Sequence, residues 1–380
     1  MALCPPEGVA PFCPTRRIIA AGCFQKIPEI LRIINPRTIL IVLGEGSFQK
    51  TPYLAQLKKM LGAFEIIYSK SVPQNPTQAF LQQEIDQRKG KAVDAVLAIG
   101  GGSVLDTAKI LVTLPHEKIT GLQFHIETPG KIQREATPLV VLPTTSGTGS
   151  EVTPYASIET RDHKKVTIES PVMFPRYALV DPELTYTMPP YLTACTGFDA
   201  LSQAIESFWS VRATQETRVF SLKALRLILQ SLPVAFRESQ NPKARFNMAC
   251  GSSEAGVAIA QTKTTAVHAV SYPITTHFHV AHGHACALTL AAFVRFNATT
   301  LGKEGKPLLE RFNVPDYESM ARAIEQLMDT VSLERSLTSL GIDAAGRERI
   351  VREGFRTDRV KNNPCLFTSE QLKTILESLK

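Results

Sequence analysis

Histidine is concentrated in one short stretch of this chain. Five of its eight histidines fall within seventeen consecutive positions, and these are His268, His277, His279, His282 and His284. Imidazole nitrogens can bind a divalent transition metal, carry protons near neutral pH, or simply lie on a solvated face. Spacing alone leaves these three roles open.

A carboxylate upstream makes the metal role more specific. Asp199 and Gln203, in "TGFDALSQAIESF", are four residues apart on a predicted helix, so both side chains project from one face. A carboxylate combined with the imidazoles of His268 and His282 suits a divalent cation such as Fe²⁺ or Zn²⁺. The same spacing also occurs among ordinary surface histidines.

Two loops rich in glycine and hydroxyl groups follow predicted strands. The first, in "AIGGGSVLDTAK", joins three glycines to Ser103 at the start of a helix, where free N–H groups can bind a pyrophosphate. The second, "PTTSGTGSEVTPY" (143–155), supplies hydroxyls and backbone amides for a phosphate or a ribose–nicotinamide edge. Either loop alone fits a polar turn, but two at successive strand ends indicate a nucleotide site.

The elements around these loops alternate between strand and helix. Strand-like runs are "TILIVL", "FEIIYS", "AVLAIGGG" and "PLVVLPTT", with helical patterns between them. This alternation predicts an α/β domain with an open parallel sheet, whose ligands bind at the carboxyl ends of the strands. From Tyr191 onward helical patterns dominate. We predict a dinucleotide-binding domain over 1–184 and an all-helical metal- and substrate-binding domain over 185–380, with the boundary in "VDPELTYTMPP".

Composition excludes several other classes. The net charge is +7, but the basic residues are dispersed and no aromatic-and-basic module appears, so we expect no nucleic-acid partner. No run reaches the roughly 18 uncharged apolar residues of a membrane-spanning helix. Two prolines interrupt "MALCPPEGVAPFC" where a signal peptide would be apolar, so we expect no secretion signal.

The seven cysteines are odd in number and contain no CxxC pair. They are Cys4, Cys13, Cys23, Cys195, Cys250, Cys286 and Cys365. This pattern argues against a disulfide framework and against a thiolate zinc site. A reducing cytoplasm is the expected setting.

Five collinear motifs carry a family resemblance. "GGGSVLDTAK", "LPTTSGTGSEVT", "VDPELTYTMPP", "TGFDALSQAIES" and "HAVSYPITTHFHVAHGHACAL" occur in the order and spacing of the iron-containing (group III) alcohol dehydrogenases, from about residue 18 to the C-terminus. The resemblance implies a dehydroquinate synthase-like architecture, a metal in the cleft between the two domains, and a homodimer. The metal ligands that it implies are Asp199, Gln203, His268 and His282.

The resemblance also implies a nicotinamide cofactor. The implied cofactor-binding positions are Gly44, Gly100, Gly101, Gly102, Ser103, Asp106, Thr144, Thr145, Ser146, Thr148, Gly149 and Lys165. NAD-preferring members tend to end the first strand with an aspartate that faces the adenosine ribose. Here "GEGS" (44–47) stands there instead, which favours NADPH, while Glu45 keeps NADH open.

Two positions depart from the family pattern. Gln203 stands where histidine is usual, and its carbonyl oxygen would bind a cation more weakly and shift preference away from soft ions. Tyr272 stands where many members carry a histidine near the nicotinamide. A proton relay is then expected from metal-bound water or from one of His277, His279 and His284.

The stretch before the first histidine ligand predicts an anionic substrate. Lys263, Thr264 and Thr265 would suit a phosphonate or phosphate group, although a lysine that snorkels to solvent is the alternative. Residues 263–290 resemble the phosphonoacetaldehyde reductase (2-hydroxyethylphosphonate dehydrogenase) branch, which implies reduction of phosphonoacetaldehyde. Further contributors to the pocket rim are expected to be Arg359, Lys361 and Asn362.

The groups expected at the chemical step are His282, Lys263 and His279. Three alternatives stay open. The first is a general dehydrogenase of neutral alcohols, and the second is a lyase resembling dehydroquinate synthase. The third is a metal-free cofactor-binding protein.

Overall fold

The computed structural model of the protein describes residues 7–10, 12–113, 122, 126, 137–162, 164–355 and 357–379. The chain divides into two compact units: residues 1–145 with 149–187, and residues 146–148 with 188–380. Within the described ranges all six cysteines are free thiols. Cys4 and the first six residues, on which the expectation of no secretion signal partly rests, lie outside the described residues.

The first unit is built on a seven-stranded sheet and a separate two-stranded hairpin. The strands are β1 (Glu7–Ala10), β2 (Cys13–Ile19), β3 (Thr38–Leu43), β4 (Glu65–Tyr68), β5 (Ala95–Gly100), β6 (Leu139–Pro143), β7 (Tyr155–Glu159), β8 (Lys165–Glu169) and β9 (Tyr177–Val180). The sheet order is β1-β2-β9-β6-β5-β3-β4, and β7 pairs with β8. All neighbours in the sheet are parallel except β1 and β2. The predicted parallel sheet is confirmed.

The central strands are apolar because they are covered on both faces. Every residue of β3 and β5 is buried, as expected for parallel strands in the middle of a sheet. The helices described in this unit are α1 (Ile27–Ile34), α2 (Pro52–Met60), α3 (Gln78–Asp86) and α4 (Gly102–Thr113). Because α4 begins two residues after β5 ends, the predicted glycine loop is a direct strand-to-helix turn.

Two antiparallel pairs were not predicted. One is the β1–β2 pair, and the other is the β7–β8 hairpin, in which Tyr155 lies opposite Glu169. The buried and half-buried residues of β7 alternate, which is the two-residue period of a strand covered on one face. The run is only five residues long and follows a polar loop, so the sequence analysis did not identify it.

The second unit is helical throughout its described residues. Its helices are α5 (Pro190–Trp209), α6 (Gln215–Arg237), α7 (Pro242–Thr262), α8 (Ala266–Phe278), α9 (His282–Leu301), α10 (Lys306–Phe312), α11 (Tyr317–Thr330), α12 (Ala344–Gly354), α13 (Thr357–Val360) and α14 (Ser369–Glu377). The predicted all-helical half is confirmed.

Helix α5 is the central helix of this unit. It packs against α6, α7, α8 and α9, and sixteen of its twenty residues are buried. A helix buried on nearly every side must give its polar side chains partners, since an unpaired buried polar group is costly. The buried polar side chains of α5 are therefore candidates for a functional site.

Helix α6 is the only described helix long and apolar enough to cross a membrane by length and composition. Core helices of soluble proteins meet the same criterion. Helix α6 packs against α5 and α7, and buried residues such as Leu225, Ile228 and Leu232 belong to the core of the second unit.

Candidate functional site

Four side chains of the second unit converge on one point. They come from Asp199 on α5, His268 on α8, and His282 and Cys286 on α9, and their candidate ligand atoms all lie within 4.8 Å of one another. The structure thus brings together three of the four ligands named from the sequence. Cys286 joins them, although the sequence analysis did not name it as a ligand.

Gln203, the fourth expected ligand, lies beside this cluster. Its amide nitrogen donates to Asp199 Oδ1 over 2.9 Å and to the carbonyl of Thr148 over 3.2 Å. Its carbonyl oxygen Oε1 is buried and accepts no hydrogen bond from any described residue. Because a buried acceptor without a partner is unfavourable, this oxygen is a fitting donor for a cation.

Glu206, two helical turns beyond Asp199 on α5, holds His268 in place. One carboxylate oxygen accepts from the backbone nitrogen of Thr265 over 2.9 Å, from its hydroxyl over 2.7 Å, and from the backbone nitrogen of His268 over 3.3 Å. The other oxygen contacts His268 Nδ1. Glu206 therefore caps the start of α8 and orients the imidazole, leaving Nε2 directed at Asp199, 3.3 Å away.

The cluster carries an excess of negative charge. Burial alone would raise the pKa of Glu206, but the charge and hydrogen bonds of His268, with those of Thr265, lower it. Burial alone would lower the pKa of His268, yet Cys286, Glu206 and Asp199 raise it well above its ordinary value. Positive charge is thus favoured here, as a proton or as a metal ion. The donor set of carboxylate, amide, imidazoles and thiol fits Fe²⁺ or Zn²⁺.

His282 is positioned by a close helix contact at Gly283. A Cβ atom at Gly283 would lie 1.8 Å from the Cys195 carbonyl oxygen and 3.1 Å from the Asp199 Cβ. Only glycine lets the start of α9 approach α5 this closely. The approach sets His282 against Asp199.

We expect Gly283→Ala to destabilise the protein by about 1–3 kcal/mol or more, because backbone must move to admit the methyl group. Denaturant unfolding measures the change. Gly62→Ala is the control, since its Cβ would meet only the Lys59 carbonyl at 3.6 Å; that variant should differ from the parent by less than about 0.5 kcal/mol. Equal stability of the two variants would contradict the packing role of Gly283.

Tyr272 stacks on His282, with ring centroids 5.7 Å apart and an angle of 8° between the planes. The guanidinium of Arg359 lies 5.1 Å from the centre of the Tyr272 ring and hydrogen-bonds the Thr264 hydroxyl. Asn362 donates to the Thr264 carbonyl over 3.2 Å. The segment around Arg359 therefore returns to the start of α8, close to the metal cluster.

The junction between α7 and α8 holds the residues expected to bind an anion. Lys263 caps α7 with a positive φ of 58°, an unusual conformation for a residue with a side chain. Thr264 contacts Arg359, as described. The expectation for Thr265 is corrected: its buried hydroxyl donates to Glu206 and accepts from Trp209 Nε1, so it serves the Glu206 network.

The remaining histidines of the stretch do not join the cluster. His277 pairs with Glu353 near the surface. His284 is held at both ring nitrogens, by the Tyr191 hydroxyl and the Glu334 carbonyl, and burial lowers its pKa.

His279 ends α8 in a left-handed conformation and is exposed. Across the described ranges it makes no hydrogen bond or ring contact with the cluster. A proton relay through one of these three histidines, and a part for His279 at the chemical step, stay predictions.

In the first unit, the expected cofactor positions Gly44, Gly100 and Gly101 lie at the ends of strands β3 and β5. Added Cβ atoms at Gly44 and Gly100 would lie 2.9 and 2.4 Å from Val104 Cγ2, so these glycines let α4 pack closely. Gly101 would meet only Thr145, at an ordinary 3.6 Å. The backbone here is therefore open enough for a ligand to approach, as the phosphate-binding prediction requires.

Hydroxyl and amide contacts shape the two loops. Ser103 Oγ accepts from the backbone nitrogen of Asn75 over 3.2 Å, and the Thr144 nitrogen donates to the Gly100 carbonyl over 3.0 Å. Gly149 has a φ of 62°. The further expected cofactor positions are Ser146, Thr148 and Lys165, and Lys165 is the first residue of β8. A cofactor role for all these positions stays a prediction.

Asp106 has a second role that the sequence analysis did not foresee. Its oxygens accept from the Ser150 hydroxyl over 2.6 Å and from the Ser157 nitrogen over 2.8 Å. Nearby, the buried Lys109 ammonium donates to Ser150 Oγ over 2.8 Å and to the Tyr155 carbonyl over 2.7 Å. Burial lowers the pKa of Lys109 to about 8. Both side chains hold the second loop and the hairpin against α4.

Comparisons with known proteins agree with these features. Residues 14–182 match the family described as iron-containing alcohol dehydrogenase, and residues 193–380 match the C-terminal part of the Fe-containing alcohol dehydrogenase family. The 4-hydroxybutyrate dehydrogenase of Cupriavidus necator is 31% identical, over 90% of this chain and 92% of its own. Long-chain-alcohol dehydrogenase 1 of Geobacillus thermodenitrificans is 29% identical over 93% and 92%.

A solved structure adds a similarity in fold. The sulfoacetaldehyde reductase of Bifidobacterium kashiwanohense, crystallised with NAD⁺, superposes with a TM-score of 0.88 at 30% identity and covers 98% of both chains. Matches to both halves, and relatives similar over nearly their whole length, show that the chain belongs to the iron-containing alcohol dehydrogenase family of nicotinamide-dependent oxidoreductases.

Proposed function

We propose that this enzyme reduces a small anionic aldehyde, with phosphonoacetaldehyde as the substrate and 2-hydroxyethylphosphonate as the product. The observation that carries the proposal is the position of Arg359. Its guanidinium lies over Tyr272, which in turn stacks on the candidate metal ligand His282. A fixed positive charge is thus held two ring contacts from the centre that would receive the carbonyl group.

The contacts of Tyr272 link the positive charge to the cluster. The Arg359 guanidinium lies 5.1 Å from the Tyr272 ring centre, and that ring lies 5.7 Å from the His282 ring. An anionic group carried by the aldehyde would be attracted toward this guanidinium. The Arg359 guanidinium can offer parallel N–H donors to a phosphonate or sulfonate, which a lysine ammonium cannot.

Two relatives support a charged substrate by their names. One is named for 4-hydroxybutyrate and the other for sulfoacetaldehyde, and both compounds carry an anionic group. Sulfonate and phosphonate are both tetrahedral anions, and a guanidinium can bind either of them.

Each residue of the site would have a separate role in the reduction. Reduction adds a hydride from the nicotinamide to the carbonyl carbon and a proton to its oxygen. A bound divalent cation supplies Lewis acidity toward that oxygen. Asp199, His268 and His282 would hold the cation, Gln203 Oε1 lies beside them, and Glu206 fixes the imidazole of His268. Arg359 binds the anionic end and so orients the carbonyl.

The experiment is a substrate panel with Arg359 variants. We expect Arg359→Ala to lower kcat/KM for phosphonoacetaldehyde about 10- to 100-fold, the effect of losing roughly 1.5–3 kcal/mol of charge-assisted hydrogen bonding. Turnover of propanal should change little. Arg359→Lys should retain part of the activity, because it keeps the charge without the planar fork.

Arg322→Ala is the matched control, since it removes an exposed arginine of the same unit that pairs with Glu318 on α11. It should match the parent on every substrate. Equal losses on propanal and on the anionic aldehydes after Arg359→Ala would remove the anion-site proposal. Adding sulfoacetaldehyde to the panel tests whether the phosphonate is preferred to the sulfonate. Running the panel with both NADPH and NADH tests the expected preference for NADPH.

The second candidate is a dehydrogenase of neutral alcohols. It is favoured by the similarity to a long-chain-alcohol dehydrogenase over nearly the whole chain. In that case propanal or a longer aldehyde would be the better substrate of the parent enzyme, and Arg359→Ala would not alter the ranking.

A further inference from the structure

The thiol of Cys286 occupies a position that the chemistry above does not use. Cys286 follows His282 by four residues on α9, so the two side chains lie on one face, one turn apart. Its sulfur lies within 4.8 Å of the candidate ligand atoms of Asp199, His268 and His282. Cys286 is fully buried, and its thiol interacts with the His268 ring and the Ser271 hydroxyl.

The weakness of Gln203 as a ligand is an independent argument for a further metal donor. An amide oxygen binds a transition metal less strongly than an imidazole does. The amide nitrogen of Gln203 donates to Asp199. Of the four ligands expected from the sequence, Asp199, His268 and His282 are therefore the strong donors. Catalytic zinc sites use sulfur, nitrogen and carboxylate ligands, keep a position open for the substrate, and sometimes expand to five ligands. A fourth strong donor is available in Cys286.

We propose that Cys286 is a metal ligand of this protein, and that its thiolate binds the cation together with Asp199, His268 and His282. The thiol gives up its proton to solvent as the metal–sulfur bond forms. A sulfur donor moves the preference of the site toward Zn²⁺ and Co²⁺ and away from hard cations such as Mg²⁺. This is opposite to the shift expected from Gln203 alone.

The inference rests on the metal site of the proposed function, but not on which aldehyde is reduced. The test therefore measures the metal directly. Protein stripped of metal is loaded with Co²⁺, and its near-ultraviolet spectrum is recorded for the thiolate-to-cobalt charge-transfer band. We expect the band in the parent and its loss in Cys286→Ser. Competition with a metal-binding dye should show an affinity at least about tenfold lower in that variant.

Cys195→Ser is the matched control. Cys195 is another buried thiol, one helical turn before Asp199 on α5, and it is not in the cluster. This variant should keep both the band and the Co²⁺ affinity of the parent.

Several results would overturn the inference. Cobalt-loaded parent protein without the band shows that no thiolate binds the metal, and it does so even if Cys286→Ser fails to fold. A band that persists in Cys286→Ser assigns the sulfur to another cysteine. If the protein takes up no Co²⁺, the assignment of Cys286 as a ligand and the metal site itself are both wrong. By contrast, a Co²⁺ thiolate band with no turnover of anionic aldehydes would support the ligand and remove only the proposed substrate.

Discussion

Asp199→Ala is expected to abolish metal binding and turnover together. Asp199 is the carboxylate of the cluster, it accepts from Gln203, and it faces His268 Nε2. Its loss removes one donor and a negative charge that faces the cation, so metal affinity should fall by more than about 100-fold. Turnover should fall in parallel.

Elemental analysis of the purified variant and nicotinamide absorbance assays check this expectation. Circular dichroism must show that the variant is folded, because Asp199 lies on the central helix α5. A folded Asp199→Ala protein that retains a full equivalent of metal would contradict the assignment. Retained turnover without metal would instead favour a metal-independent mechanism.

Glu206→Gln is expected to lower metal affinity about 10- to 100-fold while leaving all the candidate ligands in place. The glutamine matches glutamate in shape, but its amide can donate to His268 Nδ1. The imidazole would then carry its proton on Nε2, the nitrogen that faces the cluster, and could not bind the cation. The charge that caps α8 is lost as well.

The matched control is Glu254→Gln. Glu254 is a fully buried carboxylate of the same unit, paired with Lys223 over 2.9 Å, so this variant measures the general effect of removing such a charge. We expect a loss of stability without a loss of metal affinity in folded protein. Similar metal affinity in Glu206→Gln and the parent would show that Glu206 supports the helix only.

Local patterns predicted much of the first unit. The segments "TILIVL" and "AVLAIG" are buried strands and "SVLDTAKILVT" lies within α4, because continuous apolar runs and helical spacing are properties of adjacent residues. The β7–β8 hairpin was missed because its strands are short and flanked by polar loops. The role of Lys109 was missed because its partners lie more than 40 residues away in the chain.

The site shows the same division between local and distant information. Asp199, Gln203 and Glu206 recur at helical spacing along one helix, and the pair His282 and Cys286 has that spacing too. These signals are present in the sequence, but the absence of a CxxC pair argues against a sulfur ligand there. In contrast, the contact of Arg359 with Thr264 joins residues 95 positions apart, and no spacing rule predicts it.

Histidine density was a weaker guide than helix geometry. Of the five clustered histidines, the structure brings only His268 and His282 to the cluster. The others face different directions. His277 follows His268 by nine residues on α8, and His284 follows His282 by two on α9, which in each case is about half a turn around the helix. His279 lies in the turn between the two helices.

The burial of α5 limits how this enzyme can change over evolution. Its polar residues serve the site while its other residues form the core, so almost any substitution there threatens folding and chemistry at once. Segment 357–363, by contrast, is short and contacts the start of α8 through Arg359 and Asn362. New substrate preferences can therefore arise by substitutions in this segment, without any change in helix α5.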